Sequence, residues 1–353
     1  MRAVVLDGPN SLVVADLPEP VQVGTRPVLI RVGAVGVCGS DLLRFGRGKA
    51  YHYPLVLGHE FSGIVEQVPD DSPLTIGDRV AVFPLVQQDD DPMSAIGEFA
   101  LSADYDYFGS RRDGALEERL WVPEANLFRV PDGTPLTHAA MVEPAGVALH
   151  AMRKVEIPNN ATALVIGAGP IGALAAQWLR ILGCARVVVA DVDDRKIALI
   201  KSFGLETIDA REGTVERIRE LTDGRGPDIV VEASGIPAAL VQGIEAAAVL
   251  GQVVLLGDLS GDLLLEQRTV SSILRRELRL YGTWNAKITP AGRSDWDMVI
   301  HHIADLHFDE LISHVRPLEA APDTFRELFD RELWYNKVLF QVAPDAAVEV
   351  REP

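Results

Sequence analysis

The chain has 353 residues, 48% of them apolar, and its 51 acidic and 33 basic residues leave a formal charge of −18. Single cores divide at about this length, so two domains are expected; the apolar content excludes a disordered chain, and the negative charge excludes nucleic acid and anionic membrane surfaces as partners, since both need a basic face. No stretch approaches the ~18 apolar residues of a membrane span and no cleavable leader is evident, so the chain reads as cytoplasmic with a small molecule as its partner.

Short β-branched runs broken by glycine and proline predict strands at 3–6, 28–32, 63–68 and 79–82, the pattern of a partly open β-barrel. Between the second and third stand Gly36-Val37-Cys38-Gly39-Ser40-Asp41 and Gly58-His59-Glu60, and Val142-Glu143-Pro144 follows much later. A soft thiolate, an imidazole and two carboxylates are the ligand types that hold Zn²⁺ in a catalytic site with one position left open. Cys38 is the first ligand candidate because Gly36 and Gly39 leave room around it, and His59 is the second. Glu60 and Glu143 are alternatives for the third, the other holding the metal water or moving in during turnover. Alone, Cys38 would read as a small buried residue and His59 as a satisfied polar one; their company changes that. The acidic run 87–92 reads as a solvated loop.

From about residue 161 strand and helix alternate: a strand at 163–166, an apolar helix through Arg180, a strand at 186–190, and later strands at 228–232, 252–256 and 278–282. This predicts a parallel, doubly wound sheet. The loop Gly167-Ala168-Gly169-Pro170-Ile171-Gly172 lies between a strand and a helix, the context that makes such a loop a phosphate cradle. Gly167 permits the tight turn, Gly169 the approach of a pyrophosphate, and Gly172 close helix packing, while Pro170 and Ile171 open a helix whose first amides face the phosphates. Asp191 ends the next strand, 19 residues after Gly172, where a carboxylate can take both ribose hydroxyls. It would repel an added 2′-phosphate by about 4 kcal/mol per charge pair at 4 Å and an effective dielectric of 20, so NAD is expected rather than NADP. Asp193 and Asp194 add negative charge, and Arg195 offsets part of it or stacks on adenine. Cys184, the other cysteine, reads as a small core residue, and two thiols in such unlike contexts predict no disulfide. After Trp284 the pattern changes again, and a strand at 337–342 is expected to return to the first domain. The domains are thus read as 1–148 with 285–353, around 149–284; Trp284 and Asn285 are candidate cleft residues.

With these motifs in this order the chain resembles the zinc-dependent medium-chain alcohol and polyol dehydrogenases over nearly its whole length. Cys38-Gly39-Ser40-Asp41, Gly58-His59-Glu60, Asp113-Gly114-Ala115, Glu143-Pro144 and the glycine loop all have counterparts there. Residues 38–44, 53–63, 105–114 and 274–278 are similar to the branch that contains the galactitol-1-phosphate 5-dehydrogenases. The resemblance implies an α/β fold, a GroES-like β-barrel catalytic domain plus a Rossmann doubly wound sheet, with one catalytic Zn²⁺ and NAD in a homodimer or homotetramer. It implies reversible oxidation of a secondary hydroxyl of a polyol, polyol phosphate or cyclitol to a ketone. Two departures stand out. Where the family's four-cysteine lobe binds a structural zinc, this chain has Gln88, Asp91, Ser94 and Ser102, so that metal is expected to be absent. Where some members carry a proton-relaying histidine it has Leu43, which leaves Ser40 as the first relay with His52 or water beyond. Arg44, Arg111 and Arg112, with Arg47 and Lys49, are candidates for the basic pocket that an acidic protein needs for a sugar phosphate, Arg44 foremost. The alternatives are a zinc-free quinone or enoyl reductase on the same fold, which the Cys38, His59, Glu60 and Glu143 set disfavours, and a non-catalytic NAD-binding protein.

Overall fold

The β-branched strand Pro27–Gly36 is buried along nearly its whole length and is the centre of the first half of the structure, a computed structural model that describes residues 1–22, 25–88, 90–289 and 294–344. On one side it pairs with Glu60–Gln67, which is followed outward by Arg79–Val82 and Leu127–Arg129; on the other come Lys337–Gln341 and Ile312–Pro317, and Arg119–Pro123 also pairs with it. A smaller sheet orders Ser11–Asp16, Arg2–Gly8 and Leu55–Val56. Val28, Ile30, Val32, Phe61, Val80 and Phe340 fill the core between them, each at most 1% exposed. At roughly 25 cal/mol per Å² of apolar surface removed from water, such packing stabilises the unit without a metal. The terminal strand is therefore internal to the sheet: Leu339 is opposite Gly36 and Phe340 opposite Val35.

The second unit is a six-stranded parallel sheet in the order Glu206–Asp209, Arg186–Asp191, Thr162–Ile166, Ile229–Glu232, Gln252–Leu255, Arg279–Gly282. Numbered along the chain this is 3-2-1-4-5-6, the doubly wound order that opens a crevice beyond the strand ends where the order reverses. Residues 163–165 and 188–190 are at most 1% exposed, as strands covered on both faces must be. Chain contacts divide the molecule into Met1–Glu143 with Lys287–Pro353, and Pro144–Ala286. The first boundary falls five residues before the 148/149 junction read from the sequence, within the helix Val142–Met152, where Trp178 Nε1 donates to Ala145 O at 2.9 Å and ties that helix to the helix Pro170–Ile181 of the second unit. The second falls two residues after 284/285. Asp89, in the acidic run, lies outside the described residues, as do 345–353.

Candidate active site

Cys38 ends the strand–helix connection as the N-cap of the helix Gly39–Arg47, with extended φ −97° and ψ 155°. Asp41 closes the cap: its Oδ2 accepts from Cys38 N at 3.1 Å, and the helix end puts partial positive charge beside the sulfur. His59 and Glu60 enter from the start of the neighbouring strand, opposite Gly36. A Cβ at Gly36 would lie 2.2 Å from Glu60 Oε2, so the glycine makes the space in which that carboxylate sits. One ligand atom from each of Cys38, His59 and Glu60 falls within 4.8 Å of the others. Among the described residues this is the one His, Cys, Asp and Glu cluster with such spacing, and its thiolate, imidazole and carboxylate suit Zn²⁺.

The surroundings position these groups. Asp41, buried, lies 3.3 Å from His59 Nδ1 through Oδ1, an ion-pair contact that leaves Nε2 for a metal. Burial opposes a charge on His59, but Asp41 and Cys38 outweigh it and hold the imidazole pKa well above its usual range. Lys337, from the terminal strand, is buried too; its ammonium pairs with Glu60 Oε2 and donates to Val37 O at 3.0 Å. Burial pushes the Glu143 carboxyl up to about 7, Glu60 adding to the shift while His59 and Lys337 oppose it, and Tyr107 Oη donates to Glu143 Oε1 at 3.4 Å. The sequence reading passed over Asp41, Tyr107 and Lys337. Asp41, three residues from the cysteine, carried a local signal as the acid of an N-terminal cap; Lys337 carried none, since 300 residues separate it from Val37.

The arginines have distinct neighbours. Arg44 donates through Nη1 to Ser40 Oγ at 2.8 Å and Asp41 Oδ1 at 3.0 Å, and through Nη2 to Ser110 Oγ at 3.0 Å. Arg112 forms a two-nitrogen pair with Asp106. Arg111 stacks on Tyr51 and Tyr105. His52 Nδ1 contacts Pro54 O at 3.0 Å, and Leu43 is 48% exposed. In the lobe, Gln88, Asp91, Ser94 and Ser102 do come together. Asp91 Oδ1 accepts from Ser94 N and Ser102 Oγ, both at 2.8 Å, the two serine hydroxyls are 3.2 Å apart, and Gln88 N donates to Ser94 Oγ at 3.2 Å. Hydroxyls and one carboxylate already bonded to each other do not suit a structural zinc, which takes thiolates and imidazoles.

In the second unit the loop after Thr162–Ile166 turns at Gly167, whose φ of 103° favours glycine; a Cβ at Gly172 would lie 1.9 Å from Gly167 O, and one at Gly169 would meet nothing within 4 Å. The helix Pro170–Ile181 follows, with proline in its first turn. Asp191 reaches back across the strand ends, Oδ2 accepting from Ala168 N at 2.6 Å and Oδ1 from Val192 N and Asp193 N at 2.7 and 2.9 Å. The acid thus braces the glycine loop. Arg195 pairs with Asp193 at 3.5 Å, Asn285 has a left-handed φ of 56°, and Trp284 is 55% exposed.

A metal-ligand cluster on a β-barrel and a phosphate loop on a doubly wound sheet together define a zinc-dependent, nucleotide-using dehydrogenase. The family described as alcohol dehydrogenase GroES-like domain matches residues 24–132, and that described as zinc-binding dehydrogenase matches 170–305. The chain is 33% identical over 335 residues to galactitol 1-phosphate 5-dehydrogenase of Escherichia coli K12, covering 93% of this chain and 96% of that one. It is 30% identical over 346 residues to human sorbitol dehydrogenase, covering 94% and 93%. The crystal structure of galactitol-1-phosphate dehydrogenase from Escherichia coli superposes with a TM-score of 0.90 at 33% identity, over 97% of this chain and 100% of that chain. A zinc-binding dehydrogenase from Sinorhizobium meliloti, bound to NADP, superposes at 0.86 with 27% identity, over 97% and 99%. The chain belongs to the zinc-dependent medium-chain alcohol and polyol dehydrogenases, with a GroES-like domain and a Rossmann-like sheet, as the motifs had indicated. It is an enzyme of that family, and among the described residues no helix is long and apolar enough to cross a membrane.

Proposed function

We propose that the protein oxidises a secondary hydroxyl of a polyol, polyol phosphate or cyclitol to the ketone, reversibly, with NAD as hydride acceptor. The convergence of Cys38, His59 and Glu60 carries this reading. These residues, with Glu143 as the alternative or exchanging carboxylate, would hold Zn²⁺, which when bound supplies Lewis-acid polarisation of the substrate oxygen. Ser40 Oγ accepts from Arg44, so its own O–H stays free to exchange a proton with the substrate hydroxyl and pass it outward toward water. Lys337 and Asp41 keep the first-unit ligands oriented, and the helix Pro170–Ile181 with its glycine loop receives the pyrophosphate. Asp191 favours the unphosphorylated ribose, and Arg195 flanks the adenine.

In this reading the first unit is the catalytic domain and the second the cofactor domain, which carries Trp284 and Asn285 as candidate substrate residues. The chain works as a cytoplasmic homodimer or homotetramer, which sedimentation would test. Purified protein should carry zinc and form NADH from members of a panel of polyols, polyol phosphates and aminocyclitols. Cys38→Ala or His59→Ala should remove metal and turnover together while NADH fluorescence still reports binding; turnover retained without metal would sink the proposal.

A further inference from the structure

The arginines near the candidate metal site divide by what already holds them. Arg44 is committed to Ser40, Asp41 and Ser110, and its side chain is 11% exposed. Arg112 is neutralised by Asp106. Arg111 lies between two rings instead, its guanidinium carbon 3.7 Å from the centre of Tyr51 and 4.9 Å from that of Tyr105, and among the described residues no carboxylate pairs with it. Ring faces hold a guanidinium by its π surface and leave its N–H edge open. An exposed, unneutralised cation of this kind stands out in a chain of charge −18.

Its position relative to the metal ligands is set by short links. The amides of Ser110, Arg111 and Arg112 all donate to Tyr107 O, at 3.2, 2.9 and 3.3 Å. Tyr107 is buried, its ring centre 5.2 Å from that of His59 and 6.3 Å from that of Tyr105, and its hydroxyl reaches Glu143. On the other side, the buried hydroxyl of Ser110 accepts from Arg44, which belongs to the helix that Cys38 caps. The loop is thereby tied to both metal-ligand segments, and the cation is held with little rotamer freedom left to lose on binding.

We propose that Arg111, clamped by Tyr51 and Tyr105, is the anion-recognition residue of the substrate site, so that the preferred substrate is a polyol bearing a phosphate or carboxylate. The inference rests on the polyol-dehydrogenase reading above. A guanidinium edge pairs two N–H groups with two anionic oxygens, a match that a neutral polyol cannot provide.

The test compares zinc-loaded wild type, Arg111→Ala and Arg111→Gln on pentitols and hexitols, their terminal phosphates and the corresponding aldonates. The wild type should favour an anionic form, the ester and acid arms showing which. Both variants should lose about 10- to 100-fold in the ratio of kcat/KM for anionic over neutral substrate, mainly through KM. Arg225→Ala, an exposed residue of the other unit, should leave that ratio unchanged. Inorganic phosphate titrated calorimetrically into the wild type should bind, and should bind at least tenfold more weakly to both variants. A wild type that prefers free polyols, or a ratio and phosphate affinity unchanged in both variants, overturns the proposal while zinc and NADH formation stand. Zinc-loaded wild type that forms no NADH from any of these compounds overturns the underlying reading instead.

Discussion

Lys337 and Glu60 form a buried ion pair behind the cysteine, with Lys337 and Glu60 both 2–3% exposed. Removing one member of such a pair leaves an uncompensated buried charge, a loss of about 3–5 kcal/mol. Lys337→Met should therefore lower the unfolding free energy of metal-free protein by that amount, read as a lower midpoint in urea at unchanged slope, and an unchanged midpoint would show the pair to be energetically neutral. Asp191→Ala should weaken NAD more than NADP, because only NADP gains from loss of the negative charge; equal losses in titrations with the two cofactors would remove Asp191 from the ribose site. Glu117 gives a pH signature. Burial, helped by Asp113 and opposed by the N-terminal amine, pushes its carboxyl up to about 8 from an ordinary 4.5. Between those values the folded chain holds a proton that the unfolded chain has released, so stability present below pH 4.5 is lost as pH rises through about 8. Glu117→Gln should flatten that slope in denaturant melts from pH 5 to pH 9, a few kcal/mol at most.

Among the elements, the lobe that carries Gln88, Asp91, Ser94 and Ser102 is held together by hydrogen bonds. Asp91 caps the short helix Pro92–Ala95 and draws Ser102 to the same oxygen. Ser102→Ala should cost about 1 kcal/mol locally, read as faster amide exchange across the lobe. Purified protein should hold one zinc per chain by elemental analysis; two stoichiometric zincs would mean a second donor set exists. The glycine loop shows the opposite relation, a motif whose form follows from the chain alone. Its glycines answer to a positive φ and to contacts within a few residues, so strand, turn and helix could be read directly.

For the molecule as a whole, the proposed metal and cofactor sites fall in different units. The candidate metal ligands all lie in Met1–Glu143 and the glycine loop in Pro144–Ala286. Metal removal by a chelator should thus abolish turnover with little change in NADH affinity by fluorescence titration. Loss of the terminal strand should act differently. Lys337–Gln341 lies between Pro27–Gly36 and Ile312–Pro317, so a chain ending at residue 336 loses an interior strand as well as Lys337. Such a truncation should unfold the first unit while the parallel sheet keeps its circular dichroism.

The sequence by itself determined what is local and periodic: the β-branched strands, the change to alternating strand and helix near residue 161, the glycine loop, and the thiol, imidazole and carboxylate of Cys38, His59 and Glu60. These follow from side-chain chemistry and short-range backbone preference, which need no partner distant in the chain. Tertiary structure alone decided which distant groups meet. Pairing of the terminal strand with Pro27–Gly36 brings Lys337 onto Glu60, and the loop tethered at Tyr107 leaves Arg111 unneutralised while Arg44 and Arg112 are spent on neighbours. A single sequence carries no mark of the Lys337–Glu60 pair, because the energy that selects it lies in the burial and pairing of charges 277 residues apart.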